Sequence, residues 1–370
     1  MKISLFLILF VIILGLFFTF NDNKKNRKHY IIICSAVLLF VASMRSPEYM
    51  TNTYGIDSSS YKSMFENTFD MGWNEFVTKA YMRYFGGGSD ESDVGFIALN
   101  KIIGIFTHDF AIYSLLADLL FFVPFGIILY RYSTNIYSII FAFVYYISLI
   151  QVYLLGGGRQ MFAVGLDMMA LLAIIDRKKL CASIFFFLGL TIHASSFLFL
   201  APLLMVSYGM SPKMLKSMHI LSFILVPLVF AMPGQLISFM GESIGIEKYA
   251  DYGNGAIQGG ANTIVFLVEL LSLFCLFAIK QKDMLMNKSI HIFYVMTPFF
   301  TLFTPLIRAN GTMIRIALYY SIFLALLAPY SIECSISNRN RKLVVFFAIG
   351  VLSFLALLGG GMTYYFYWQI

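Results

Sequence analysis

The sequence predicts an all-α fold, a polytopic bundle of membrane helices, and three observations point to it. The first is composition, because 59% of the residues are hydrophobic and only 12% are charged. The second is length, because several apolar runs are long enough to cross a hydrocarbon layer of ~30 Å. The third is that these runs are continuous rather than alternating with a period of two, which favours helices over the strands of a membrane barrel.

The apolar runs predict about twelve crossings, some of them short. They cover residues 3–20, 30–44, 110–130, 136–155, 160–175, 180–192, 194–207, 217–232, 263–279, 290–307, 313–332 and 343–358. The first run has no small-residue cleavage site after it and is interpreted as a membrane helix rather than a signal peptide. We therefore expect one transmembrane domain over residues 1–370.

One further apolar run, residues 94–106, does not fit the count. It is short for a crossing, and a crossing here would move every later basic loop to the opposite side of the membrane. We therefore expect an interfacial or re-entrant helix at this position.

The charges of the loops predict the orientation. Every second loop is basic, and the positive-inside rule assigns such loops to the cytoplasm. Both termini then face outward, together with two long loops, 45–109 and 233–262. Residues 46–93 of the first loop carry eight acidic and three basic side chains. The net charge of +7 therefore reflects topology and does not indicate nucleic-acid binding.

Motifs typical of several other classes of protein are missing from the sequence. The five histidines do not have metal-ligand spacing, and the glycines of "GGGRQM" match neither a dinucleotide fingerprint nor a P-loop. The four cysteines lie in or beside apolar runs, so no disulfide is expected. The sequence predicts neither an ATPase nor a metal site.

Four arginines lie at the predicted outer ends of helices: Arg45, Arg159, Arg308 and Arg315. Arginine is costly inside a bilayer, and arginines on the outer side oppose the usual charge bias. Any one of them could extend to lipid phosphates. The set favours a shared anionic ligand, because guanidinium groups bind phosphate oxygens bidentately.

A histidine in "TIHASSF" is the first candidate for proton transfer. His193, with Ser195 and Ser196, follows one short apolar run and precedes another, which predicts a recess beneath the outer surface. An imidazole there could take or give a proton near neutral pH. The alternative is a buried histidine that is hydrogen-bonded to a neighbouring helix. Asp57, twelve residues after Arg45, could bind sugar hydroxyls or act as a base.

Three acids lie within apolar runs: Asp118, Asp167 and Glu269. Such acids mark ion pathways or internal partners of arginines. We favour structural pairing, since Arg159 and Asp167 lie on roughly one face of a helix. Aromatic residues of the outer loops, Tyr249 and Tyr252 among them, could serve as interfacial anchors.

Five motifs in order resemble the EpsG-type branch of the Wzy bacterial polysaccharide polymerases. They are Arg45, "GIDSSSY" with Tyr61, "DVGF" with Asp93, "GGGRQ" with Arg159 and Gln160, and "IHASS" with His193 and Ser196. The motifs cover about the first 200 residues, and the rest of the chain matches only in hydropathy and in its outer arginines. Asp93 stands where the family's pattern often has a glutamate.

The resemblance implies a glycosyltransferase of the bacterial cytoplasmic (inner) membrane. Such enzymes build O-antigen, capsule or exopolysaccharide by joining oligosaccharide repeat units, carried on undecaprenyl pyrophosphate, at the outer leaflet. It implies arginines for the pyrophosphate, with His193 and Asp57 as competing bases. The implied substrate-binding residues are Arg45, Tyr61, Asp93, Gln160, Ser196, Tyr249, Tyr252, Arg308 and Arg315. No cofactor, nucleotide sugar or ATP is expected; the expected partners are the lipid-linked glycans, membrane lipids and a chain-length regulator protein.

Two alternatives stay open. A lipid-linked oligosaccharide flippase or a proton-coupled carrier would account for the three intramembrane acids and the glycine-interrupted helices. Against it, the sequence has no internal repeat, and its polar groups gather on one predicted face. An O-antigen ligase would use the same groups, and the sequence does not separate polymerase from ligase.

Overall fold

The computed structural model of the protein describes residues 3–47, 57–85, 94–151, 158–244, 262–308, 313–358 and 364–369. Within these ranges the regular structure is helical, and the sole β-type pairing is an isolated bridge between Arg45 and Phe366. The predicted all-α fold is confirmed. The chain forms two compact units, residues 1–203 with 348–370 and residues 204–347.

The first unit is built from nine helices of the described chain and the short pieces between them. These are α1 Ile3–Thr19, α2 Lys24–Ser43, α3 Ser58–Asp70, α4 Trp73–Tyr84, α5 Val94–Gly104, α6 Phe110–Tyr132, α7 Ile136–Tyr145, α8 Gly158–Ile175 and α9 Lys179–Ile192. A π-helical turn, Tyr146–Ile150, continues α7, and a 3₁₀ helix, Ala194–Phe199, follows α9.

The core of the first unit lies around α7 and α8. Almost every residue of α7 is buried, because apolar side chains occupy all sides of the helix. Helix α8 packs against α6 and forms an antiparallel pair with α9, while α2 packs along α6 and α1 along α7. The start of α8, the end of α9 and the end of α2 are the parts of this bundle that position the candidate site.

The remaining helices belong wholly or partly to the second unit. They are α10 Leu200–Tyr208, α11 Pro212–Ala231, α12 Pro233–Ile244, α13 Asn262–Ala278, α14 Gln281–Met286, α15 Lys288–Tyr294, α16 Thr297–Phe303, α17 Ile314–Ser335 and α18 Asn338–Leu358. The unit boundaries fall inside α10 and α18. Helix α17 is the most buried of the unit and packs against α13, α15 and α16.

Five helical stretches of the described chain are long and apolar enough to cross a membrane by themselves. They are Phe110–Tyr132, Gly158–Ile175, Pro212–Ala231, Lys288–Arg308 and Arg315–Ser335. Other apolar helices have 10–17 residues, fewer than the ~20 that a full crossing needs. The protein is therefore a helical membrane protein, while the count of twelve crossings and the orientation stay predictions.

Two of the predicted segments differ in detail from the structure. The run at 94–106 forms α5, which has 11 residues and a length of ~16 Å, as expected of an interfacial or re-entrant helix. The run at 290–307 is not one continuous helix but α15, α16 and a 3₁₀ turn, Thr304–Arg308. Pro298 and Pro305 interrupt it, since proline removes a backbone donor.

Three helices that the apolar runs did not predict lie within the two long loops. Helices α3 and α4 lie within 45–109, and α12 lies within 233–262. Helix α3 buries Tyr61, Phe65 and Thr68, spaced as one helical face. Because polar residues separate these positions, a search for continuous apolar runs does not detect the helix.

Candidate functional site

Arg45 follows helix α2 and is buried, with 4% of its surface exposed. Its Nε donates to Ser58 Oγ at 2.9 Å, and its Nη1 donates to the Ala42 carbonyl and lies 3.4 Å from Asp118 Oδ2. Ser43 Oγ donates to the same carboxylate oxygen at 3.3 Å. Arg45 therefore joins the end of α2 to α6 and to the first residue of α3.

The C-terminal segment 364–369 lies along this end of α2. The Ser46 amide donates to the Tyr365 carbonyl at 2.9 Å, and the Tyr367 amide donates to the Met44 carbonyl at 2.8 Å. Tyr364 Oη donates to the Val41 carbonyl at 2.5 Å. Burial raises the pKa of Tyr364, so its phenol stays protonated and keeps donating. The segment fixes the backbone on both sides of Arg45.

Tyr61, one turn into α3, contacts the "GGGRQ" motif at Gly158. Its ring is buried and lies 5.7 Å from that of Phe96 in α5, centroid to centroid. A Cβ placed on Gly158 would lie 3.0 Å from the Tyr61 ring. A side chain at this position would be in tighter contact than usual, and the ring would have to move by a few tenths of an ångström. The glycine at the start of α8 therefore allows the tyrosine to approach the helix backbone closely.

Arg159 is the second residue of α8 and is half-buried. Its guanidinium carbon lies 5.7 Å from the centre of the Phe96 ring, a cation–π distance, and Phe96 in turn stacks on Phe162. Gln160, the next residue, is buried with 1% exposed. The expectation that Arg159 lies in the first turn of a helix is confirmed, and the N-terminal dipole adds to its positive potential.

The "DVGF" motif contacts α9 at Thr191, the residue before "IHASS". A Cβ on Gly95 would collide with Thr191, so α5 and α9 touch backbone to side chain at this point. Within α9, Gly189 faces Asp167 and the Ala163 carbonyl of α8. These contacts fix how α9 ends and where His193 follows.

His193 links α9 to the 3₁₀ helix in an extended conformation and is half-buried. Its carbonyl accepts from the Ser196 amide at 2.9 Å. Ser196 Oγ lies 2.8 and 2.7 Å from the two carboxylate oxygens of Asp167 and donates to that group. Because α8 and α9 are antiparallel, His193 and Arg159 lie at the same end of the pair.

The five motifs therefore come together at one end of the first unit. Contacts connect Arg45 to the start of α3, Tyr61 to Gly158, Phe96 to Arg159, Gly95 to Thr191 and Ser196 to α8. Asp57 immediately precedes α3 and is half-buried. Ser58 belongs to the motif "GIDSSSY", but its contact with Arg45 was not predictable from the motif. The C-terminal segment was missed because it is part of no predicted apolar run and of none of the five motifs.

The remaining predicted site residues belong to the second unit or lie outside the described residues. Arg308 and Arg315 belong to the second unit, where Arg308 Nη1 donates to the Phe230 carbonyl at 2.8 Å and its guanidinium covers the Phe230 ring. Asp93, Tyr249 and Tyr252 lie outside the described residues.

The intramembrane acids have different surroundings. The predicted pairing of such an acid with an arginine is confirmed for Asp118, whose partner is Arg45. Asp167 accepts from Ser196 instead. The two Glu269 carboxylate oxygens are buried and have no hydrogen-bond partner in the part of the chain that the structure describes.

Comparison with known proteins gives one finding. A model of the EpsG family matches residues 49–359. The match includes four of the five motifs and all of the second unit. Searches for similar curated proteins and for similar solved structures give no match.

Proposed function

Because the chain belongs to the EpsG family of polysaccharide polymerases, we propose that it joins oligosaccharide repeat units carried on undecaprenyl pyrophosphate. The reaction takes place at the outer leaflet of a bacterial cytoplasmic membrane. The observation that carries this proposal is the convergence of five motifs around Arg159 at one end of the first unit. No nucleotide or other cofactor takes part in the reaction.

Arg159 is the group that binds the pyrophosphate. It is half-buried, and Phe96 supports one side of its guanidinium. A guanidinium in a partly dehydrated site stabilises the negative charge that develops on the leaving pyrophosphate. The positive end of the α8 dipole acts in the same direction. Gln160, the next residue of α8, is a further candidate for the same anion.

Arg45 has a different role in the proposal. Its guanidinium contacts Ser58, the Ala42 carbonyl and Asp118, and these contacts take up much of its donor capacity. We assign it to positioning: it holds the start of α3, and α3 places Tyr61 against Gly158 beside Arg159. Its effect on the substrate then passes through the tyrosine and the helix rather than through direct contact.

The acceptor hydroxyl needs a base, and His193 and Asp57 compete for this role. His193 lies at the same end of the α8–α9 pair as Arg159. Asp57 lies one residue before Ser58, the partner of Arg45. In the reaction the acceptor oxygen attacks the anomeric carbon of the growing chain, and the bond from that carbon to pyrophosphate breaks. Pyrophosphate leaves with the electron pair, and the base takes the proton.

The direct assay is growth of the polymer from a defined substrate. Purified protein in liposomes is given a repeat unit linked to polyprenyl pyrophosphate, and products are separated by size. A ladder of oligomers is expected. Transfer to a different acceptor without a ladder would identify a ligase, and movement across the liposome membrane without chain growth would identify a transporter.

The contacts of Asp118 and Asp167 argue against a transporter. Three intramembrane acids supported that alternative, and two of them have structural partners, Arg45 for Asp118 and Ser196 for Asp167.

The residue-level test is Arg159→Ala. The rate of chain growth should fall about 100-fold or more, the size of the effect when one donor to a developing anion is removed. Arg159→Lys should recover only part of it, since an ammonium cannot bind two oxygens in a plane. The matched control is Arg131→Ala, near the C-terminal end of α6. This substitution removes an arginine whose ion pair with Asp176 is exposed, so it should have little effect. Normal chain growth in Arg159→Ala at normal protein levels would overturn the assignment.

A further inference from the structure

A groove runs between α2 and α6, away from the motif cluster. It has a cavity volume of about 340 Å³ and extends from Lys28 and Tyr130 at one end to Leu39 and Leu119 at the other. The two helices are antiparallel, and small residues, Ser35 and Gly126, leave the space between them. A cavity of this size falls in the range of ligand pockets.

The length of the groove matches one leaflet of a bilayer. Each helix spans twelve residues from end to end of the groove, and the eleven steps between them correspond to ~16 Å of helical rise. Half of a ~30 Å hydrocarbon core is ~15 Å. The side chains between the two ends are almost all apolar, and Ile32 and Val123 are about half exposed. The groove thus fits a hydrocarbon chain that enters from one surface and ends near the midplane.

The entrance carries a positive charge that no acid of the described chain neutralises. Two neighbouring arginines are already paired, Arg27 with Asp22 at 2.5 Å and Arg131 with Asp176 at 2.9 Å. Lys28 lines the groove and, within the described ranges, makes no ion pair. Tyr130 beside it presents a phenol at the same level, as tyrosines at a membrane interface commonly do.

We propose that this groove is a binding site for an anionic phospholipid, with its phosphate at Lys28 and one acyl chain between α2 and α6. The lipid belongs to the leaflet on the side where α2 begins, which the basic loops predict to be cytoplasmic. This side is opposite to the one at which the motif cluster lies, because Arg45 follows the other end of α2. The polyprenyl substrate is therefore not the occupant, and the site binds a lipid of the surrounding membrane.

The test uses the full chain, purified in detergent and analysed by native mass spectrometry with phosphatidylglycerol or phosphatidylcholine of identical acyl chains. The wild type should retain one phosphatidylglycerol with higher affinity than phosphatidylcholine. Lys28→Glu should lower phosphatidylglycerol affinity at least about fivefold, the effect of one basic residue at an anionic surface. The matched control is Lys25→Glu, on the same exposed turn of α2 but outside the groove, which should keep the preference.

A second pair of variants tests the acyl chain site. Gly126→Leu fills the groove and should abolish retention of both lipids, whereas Gly350→Leu, where an added side chain meets nothing within 4 Å, should not. Equal affinity of the wild type for both lipids would overturn the proposal, and so would an equal loss in Lys25→Glu. Displacement of phosphatidylglycerol by a polyprenyl phosphate would also overturn it, because the groove would then belong to the substrate. None of these outcomes bears on whether the protein polymerises glycans.

Discussion

The two units bury polar groups of different kinds. The first unit buries opposite charges, with Arg45 and Asp118 side chains 4% and 1% exposed. The hydrogen-bonded network buried in the second unit consists of neutral groups: His219 is hydrogen-bonded to Tyr294 Oη at 2.7 Å and to Ser272 Oγ at 2.9 Å. Ser272 Oγ is in turn hydrogen-bonded to Thr301 Oγ1 at 2.5 Å. Four helices of the second unit are thereby joined without burial of a formal charge.

The charged network of the first unit and the neutral network of the second indicate different roles. A neutral network whose members are hydrogen-bonded stabilises a bundle without the desolvation of ions. A buried ion pair contributes little net stability, since apolar residues of similar volume can often replace it. The ion pair of the first unit therefore needs another reason, and its contact with the start of α3, which leads to Tyr61 and Gly158, supplies one. Substitutions in the first network should reduce activity, and those in the second should reduce stability alone.

The largest effect is expected for Asp118→Leu. It removes the carboxylate from a buried arginine and should lower the free energy of unfolding by about 3–5 kcal/mol. The measurement is the thermal midpoint of the purified protein in detergent. The Arg45→Leu/Asp118→Leu double variant should recover most of this stability but stay inactive, because Ser58 loses its donor. A double variant that is both stable and active would show that the pair has no role in positioning α3.

An intermediate effect is expected for His219→Ala in the second unit. The substitution leaves Tyr294 and Ser272 without their common partner and should cost about 2 kcal/mol. Polymerisation per folded molecule should stay unchanged. His219→Gln, whose amide both donates and accepts, should restore part of the stability. A normal melting midpoint together with lost polymerisation would contradict the assignment of this network to stability alone, since the neutral network would then be needed for activity.

Continuous apolar runs predicted most of the helices from sequence alone, for example α8 and α17. They could not reveal α3, whose buried positions Tyr61 and Phe65 are separated by polar residues. The motifs were found as separate stretches, and their contacts were not predictable. Tyr61 and Gly158 approach each other because three helices pack together, a property that no local pattern encodes.

The arginine–acid pairing shows the same limit. The sequence suggested that Arg159 pairs with Asp167, because residues eight apart lie on roughly one face of a helix. The pair that the structure forms is Arg45 and Asp118, 73 residues apart, and packing of α2 on α6 determines it. Sequence correctly predicted that an intramembrane acid pairs with an arginine, but the choice of partner depends on tertiary structure.

A smaller loss of stability is expected for Ser196→Ala. Asp167 loses a hydroxyl donor at 2.7–2.8 Å, which should cost about 1 kcal/mol of unfolding free energy. Because the same serine belongs to the turn that follows His193, polymerisation should fall more than this loss of stability accounts for. The measurement is the rate of chain growth per folded molecule, compared with the thermal midpoint of the same preparation.

Asp167→Asn separates hydrogen bonding from charge at this position. The amide oxygen can still accept from Ser196, so an acid that only positions the turn after α9 should tolerate the change with nearly normal chain growth. An acid that carries protons would lose its function although the hydrogen bond persists. Loss of activity in Asp167→Asn with normal activity in Ser196→Ala would therefore show that the first unit uses charge for proton transfer at Asp167 rather than for positioning.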